Sequence, residues 1–252
     1  MTRLQDKIAF ISGAAGSIGA ATARRVVAEG ARVVVSDIDG ARLDALVAEL
    51  GETHAAAAVA DVTRSAEVRR AVGLAVERFG GLDIAFANAG IFGEVAEVAD
   101  YPEDVFERVL AVNVRGPFHV AKHALAAMVP GGSLIFNSSV VGLTSDAGIC
   151  AYATSNHALV GLMRTAAKEV ASRGIRVNSI HPGPVDNVFQ HRIETVATGE
   201  EEARAAAIFE TMIPLGRHAT PDEVAQLVVF LASDESAFMT GAAIPLDGGM
   251  SV

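Results

Sequence analysis

Short runs rich in Val, Ile and Ala recur about every 25 to 30 residues along this 252-residue chain, with helical patterns between them. Ile8–Ser12, Ala31–Ser36, Ala55–Ala60, Leu82–Ala87, Ser133–Asn137, Ile175–Ile180 and Ala242–Leu246 read as strands. Several lack the apolar–polar alternation of a half-exposed strand, so helices must cover both of their faces. Ala20–Glu29, Ser65–Phe79, Pro102–Met128, Tyr152–Ser172 and Pro221–Ala232 read as helices. Thr220-Pro221-Asp222-Glu223 marks a start plainly: a capping hydroxyl, proline in the first turn, then acids at the positive end of the helix dipole. Alternation of this kind predicts an α/β fold, a single-domain, Rossmann-type, doubly wound parallel sheet of seven strands with right-handed crossovers. No linker or charge block divides the chain. Residues 183–214 are too long for a tight strand–helix connection and are expected to form an irregular insertion over a site.

Hydrophobic residues make up 51% and charged residues 20%, enough for a substantial core. A formal net charge of −10 argues against nucleic acid or an anionic membrane as partner, since both select clustered Lys and Arg. No stretch approaches the roughly 20 apolar residues of a membrane span. The only cysteine, Cys150, can form no internal disulfide, and the first residues do not resemble a secretory signal; a cytoplasmic protein is expected. No metal site is expected.

The first strand runs into Ser12-Gly13-Ala14-Ala15-Gly16-Ser17-Ile18-Gly19 and then a helix. Glycines let backbone approach a phosphate closely, and the helix N-terminus offers unpaired N–H groups and positive partial charge. The usual dinucleotide spacing G-x-G-x-x-G is absent, so position carries the argument: first strand, first turn, helix directly after. Asp37 closes the second strand about twenty residues on, where a carboxylate can accept from ribose hydroxyls and repels a 2′-phosphate. Neither Ala14, Ala15 nor Ile38 supplies an offsetting cation, so NAD is expected over NADP.

A second constellation lies further along. Tyr152, one of two tyrosines, stands thirteen residues after Ser139, and Asn156 follows four residues later on the same helical face. Phenol and hydroxyl meeting at one point suit proton exchange with a carbonyl or alcohol oxygen.

Together these residues resemble the short-chain dehydrogenase/reductase family across nearly the whole chain. That family's first turn reads T-G-x-x-x-G-x-G; here Ser12 takes the threonine position, Gly13 and Gly19 match, and Ser17 replaces the middle glycine. Asp61-Val62 is similar to the pair that contacts adenine, and Asn88-Ala89-Gly90 to the N-A-G motif that supports cofactor and sheet. Asn113 matches the asparagine that kinks the long helix and holds a water of the proton relay, and Pro182-Gly183 the turn beside nicotinamide. The motif P-G-x-x-x-T ends here in Asn187, which still donates and accepts. The resemblance implies Asn113, Ser139, Tyr152 and position 156 as catalytic residues. It implies cofactor contacts from Gly13, Ser17, Ile18, Gly19, Asp37, Ile38, Asp61, Val62, Asn88, Ala89, Gly90, Tyr152, Asn156, Pro182, Gly183, Val185 and Asn187. A homotetramer built on the long helices is also implied.

The departure is Asn156, where Y-x-x-x-K has lysine. In the family that lysine bonds the nicotinamide ribose and lowers the tyrosine pKa; a neutral amide can do the first in part and cannot do the second. Ser139, Val140, Cys150, Tyr152 and Phe189 are expected to meet substrate, with Phe92, Ile149, Ile193 and Met212 as further apolar wall, which suits a small ketone or secondary alcohol. The competing reading is a nucleotide-binding protein with impaired chemistry, acting as a sensor or partner subunit.

Overall fold

The computed structural model describes residues 2–252. Seven strands form one parallel sheet in the order β3-β2-β1-β4-β5-β6-β7. These are β1 (Ile8–Ser12), β2 (Arg32–Asp37), β3 (Ala55–Val59), β4 (Ile84–Ala87), β5 (Ser133–Asn137), β6 (Arg176–Pro182) and β7 (Ala243–Leu246). The chain builds outward from β1 through β2 to β3, then crosses back to place β4 on the other side of β1. That reversal opens a crevice beyond the carboxyl ends of β1 and β4, the usual ligand position in such sheets.

Both faces of the sheet are covered, which is why β1 is buried along its whole length. Phe10, Phe86 and Phe136 are almost wholly enclosed, and truncating one of them to alanine would cost about 3–5 kcal/mol. On one face, Phe10, Leu134 and Phe136 pack with Val68, Val72, Leu159 and Met163 of helices α3 (Ser65–Phe79) and α6 (Cys150–Val170). On the other, Ile11, Val33, Val35 and Phe86 meet Val26, Leu43, Val224 and Val228 of α1 (Ser17–Ala28), α2 (Gly40–Leu50) and α9 (Pro221–Ala232). Alternate residues of one strand therefore feed opposite layers. Among the described residues no helix is long and apolar enough to cross a membrane.

Three expectations change. The segment read as one helix, Pro102–Met128, is α4 (Glu103–Leu110) and α5 (Gly116–Ala127) joined through a π turn at Ala111–Arg115. Helix α2 was not anticipated; Asp39 caps it, its side chain accepting from the Arg42 N–H at 3.1 Å. The insertion is not irregular but holds α7 (Val188–Thr198) and α8 (Glu202–Thr211). These two helices are fastened by histidines set between carboxylates. His191 lies 3.2 Å from Asp186 and 3.1 Å from Glu202. His218 lies 2.6 Å from the fully buried Glu194 and 3.4 Å from Glu210.

Candidate active site

A cleft of about 320 Å³ opens at the sheet reversal. Its floor is the β1–α1 turn. Gly13 sits at φ +67, and a Cβ there would lie 2.7 Å from Ala89 Cα; a Cβ on Gly19 would lie 2.3 Å from the Gly13 carbonyl oxygen. Gly19 is thus buried beneath the turn and lets α1 approach it, rather than facing the cleft. Gly16 begins α1 without any side-chain cap, so the first N–H groups of the helix and the Ser17 hydroxyl face the cleft unspent. Such a helix start suits an anion.

Asp37 stands at the cleft's far wall with Ile38, its carboxylate accepting from the backbone N–H groups of Ala15 (3.1 Å), Ile38 (2.8 Å) and Asp39 (3.2 Å). Ile38 is exposed, and Asp37 has no ion-pair partner among the described residues. Asp61 and Val62 line the same end. Burial pulls the Asp61 carboxyl upward, but bonds from the hydroxyl and amide of Thr63 outweigh it and hold the group below the usual range.

Asn88, Ala89 and Gly90 line the middle. The Asn88 amide donates to the carbonyls of Ser12 (3.2 Å) and Gly13 (3.0 Å), while the Ser12 hydroxyl accepts from the Asn88 N–H at 3.1 Å. The first turn and the end of β4 are therefore one unit. Asn113, in the π turn, is buried and reaches the same loop. Its carbonyl oxygen accepts from Ile91 N–H at 2.9 Å, and its amide donates to Ile91 O at 2.8 Å and to the Ser155 hydroxyl at 3.1 Å. The side chain is fully engaged in holding α4–α5 against α6.

Tyr152 occupies the near end, lining the cleft from the first turn of α6. Its ring packs on Phe92 at 5.2 Å between centroids, and both join Val140, Ile149 and Met250 in an apolar cluster. Burial pushes the phenol above its ordinary pKa of 10.0, and the side chains of Ser139 and Asn156 act on its hydroxyl in the opposite sense without overcoming burial. Asn156 is buried; its amide donates to the Tyr152 carbonyl at 2.9 Å, and its oxygen accepts from the Ser138 hydroxyl at 3.2 Å. The nearest histidine on the sheet is no substitute for a lysine. His181 is fully enclosed, bonded to Ser139 O and Ser179 Oγ at 2.8 Å each, and burial lowers its pKa, so it stays neutral and fixes the Ser139 backbone. His157 turns back to bond the Ala153 carbonyl at 3.0 Å.

Asn187 and Phe189 close the cleft from the lid. Asn187 doubles as the cap of α7, its oxygen accepting from Gln190 N–H at 2.8 Å. Besides Gly19, six of the expected contact residues lie outside the cleft lining. Val185 is buried in the core layer beneath α9, because its bridge to Ala219 draws it away from the cleft. Gly183 lies against Asp247, its N–H donating to Leu246 O at 3.0 Å, and Pro182 ends β6 paired with Leu246; neither lines the cleft. Cys150 packs instead with Tyr101, Phe106 and Val109, since the first turn of α6 carries it round to the α4 side. Ser139 and Val140 adjoin the lining at Tyr152: the Ser139 side chain acts on the phenol, and Val140 packs in the Phe92 cluster. The cleft also takes Gly16 of the glycine-rich turn and Ser138, together with Ile91, Asn137 and Leu159, to which sequence reasoning gave no role, and Met250 joins the apolar wall from the far end of the chain.

A family model described as enoyl-(acyl carrier protein) reductase matches residues 13–251. Momilactone A synthase of Oryza sativa subsp. japonica is 42% identical over 255 residues, which cover 99% of this chain and 92% of that protein. Levodione reductase superimposes with a TM-score of 0.95 at 32% identity, covering 99% of both chains. An NAD⁺-bound xylitol dehydrogenase gives 0.93 at 34% identity over 98% of this chain and 100% of that one. A blue fluorescent protein from a metagenomic library, in complex with NADPH, gives 0.89 at 33% identity over 99% and 100%.

Proposed function

Because this chain belongs to the short-chain dehydrogenase/reductase family of oxidoreductases, we propose that it interconverts a small, uncharged, moderately hydrophobic ketone and its secondary alcohol with NAD(H). The observation that carries this reading is the Tyr152 phenol, lining the cleft at the sheet reversal while its ring joins an apolar cluster. A bound nicotinamide supplies or accepts the hydride. The protein's own part is the proton. Tyr152, neutral at physiological pH because burial raises it, donates to the carbonyl oxygen during reduction. Ser139, beside the phenol, steadies that oxygen with a second bond.

The cleft fits the cofactor in its donor chemistry. The uncapped start of α1 and Ser17 suit the pyrophosphate, and the Asp37 carboxylate suits ribose hydroxyls and opposes a 2′-phosphate. Asn156 still offers amide hydrogen to the nicotinamide ribose from its place in the wall. Asn113 keeps the loop after β4 in register. Phe92, Val140, Ile149 and Met250 offer no charge to pair with a phosphorylated or carboxylated substrate. Without a cation at position 156 the neutral phenol dominates, which is the protonation state that reduction starts from.

The apolar faces of α5 and α6, with Phe118 half-exposed on α5, suit a homotetramer. A single cysteine suits a cytoplasmic setting. The test is NADH consumption at 340 nm against a panel of cyclic and aryl ketones, with Tyr152→Phe alongside. Turnover of uncharged ketones that the variant abolishes is expected. NADH binding without turnover of any carbonyl would instead support the nucleotide-binding sensor.

A further inference from the structure

Asn137, the last residue of β5, lines the cleft yet belongs to no motif. Its amide donates to Asn88 Oδ1 at 2.9 Å. Asn88 in turn spends both amide hydrogens on the carbonyls of Ser12 and Gly13, which fixes which end of the Asn88 side chain faces Asn137. The orientation of Asn137 is therefore fixed too, and its own oxygen is left buried without a hydrogen-bond partner among the described residues. An unpaired buried acceptor destabilises a fold, and an aliphatic residue at a strand end would avoid it. The residue is explained by what it donates.

Resting on the nicotinamide reading above, we infer that Asn137 is a positioning residue for the cofactor, acting through Asn88 on the Gly13 turn. The turn is a backbone structure whose N–H groups must point at one place. The Gly13 carbonyl is held by the Asn88 amide, and that amide is held by Asn137. Ser138, the next residue, reaches the Asn156 amide instead. Two consecutive residues at the end of β5 thus set the two halves of the crevice, Asn137 the phosphate turn and Ser138 the tyrosine helix. Freeing the Asn88 side chain lets the turn sample other shapes, and binding then has to reorder it.

Asn137→Leu removes the donor and trades one unpaired acceptor, Asn137 Oδ1, for another, Asn88 Oδ1, so the melting temperature of the cofactor-free protein is expected to stay put. The NADH dissociation constant, read by nicotinamide fluorescence, is expected to rise about five- to tenfold, the worth of one neutral hydrogen bond. The turnover number at saturating NADH is expected to hold, since only ground-state binding is touched. In an Asn88→Ala background, Asn137→Leu is expected to change nothing further. Should Asn137→Leu misfold, Asn137→Ala carries the same cycle. Unchanged NADH affinity in the single variant overturns the inference, as does an equal loss in the Asn88→Ala background. Failure of the unaltered protein to bind NADH would instead strike the parent reading.

Discussion

Replacing Asn156 by lysine puts a number on what the neutral amide leaves out. The side chain at 156 is buried on the same face of α6 as Tyr152, and the working case is an ammonium that reaches to about 5 Å from a phenolate. At an effective dielectric of about 20 the attraction is about 3 kcal/mol, or roughly two pKa units. Burying the ammonium takes back part of this, leaving about one to two units. In the unaltered protein burial holds the phenol above its usual 10.0, so fewer than about one molecule in a thousand carries phenolate at pH 7. Lysine raises that fraction about ten- to a hundredfold. The weaker base transfers less readily, so alcohol oxidation at pH 7 should gain about three- to tenfold. The sign differs by direction. Oxidation needs phenolate and rises with pH through the tyrosine pKa, so its profile moves towards acid in Asn156→Lys. Reduction needs phenol, so its fall at high pH begins earlier. Initial rates with NAD⁺ and an alcohol from pH 6 to 11 measure this, with Asn156→Gln as the neutral control. A profile that does not move, in a variant that still binds NADH, would refute the electrostatic reasoning.

Three further outcomes follow from other contacts. Asp37→Asn should shift the ratio of the NADH and NADPH dissociation constants about ten- to a hundredfold towards NADPH, because a like charge near the 2′-phosphate is lost; equal ratios before and after would sink this. His218→Leu leaves the fully buried Glu194 without its 2.6 Å hydrogen-bond partner and should cost about 1–3 kcal/mol in denaturant unfolding, whereas Glu194→Leu with His218→Leu should recover most of it. Glu29 is held down from 4.5 to about 2, chiefly by the hydrogen bond from Arg3. Its folded pKa is depressed, so the stabilisation is complete above about pH 4.5 and disappears as pH falls towards 2. With the two side chains 27% and 16% exposed, its size is about 1–2 kcal/mol, and the stability gap between native protein and Arg3→Ala should close over that window.

The strands were legible because a doubly covered parallel sheet leaves unbroken apolar runs, and Phe10, Phe86 and Phe136 sit inside them. Helix α9 was legible from its own capping residues, Thr220 and Glu223. Helix α2 had readable signals as well, Asp39 as cap and Leu43 and Leu46 three apart, but its exposed remainder dilutes them. The helices of the insertion were harder, because α7 and α8 bury few residues of their own and are tied down by side-chain pairs such as His218 with Glu194, partners in no local motif. In the site, local spacing placed Tyr152 and Asn156 on one face of α6. It could not show that Asn156 would turn back onto the Tyr152 carbonyl and Ser138, that Met250 would return from the chain's end, or that Cys150 would rotate away. Each of those depends on which element packs alongside, and that is a property of the assembled sheet.

The crevice opens at the carboxyl ends of the strands, and the opposite rim of the sheet is built otherwise. Gly80, which turns the chain from α3 towards β4 at φ +96, has nothing within 4 Å of where a side chain would begin. A fluorophore, an affinity tag or a tether inserted beside Gly80, with the glycine kept because its φ strains any other residue, would hang from the underside of the molecule. Anchored to a solid support there, the protein would present its mouth to the passing solution.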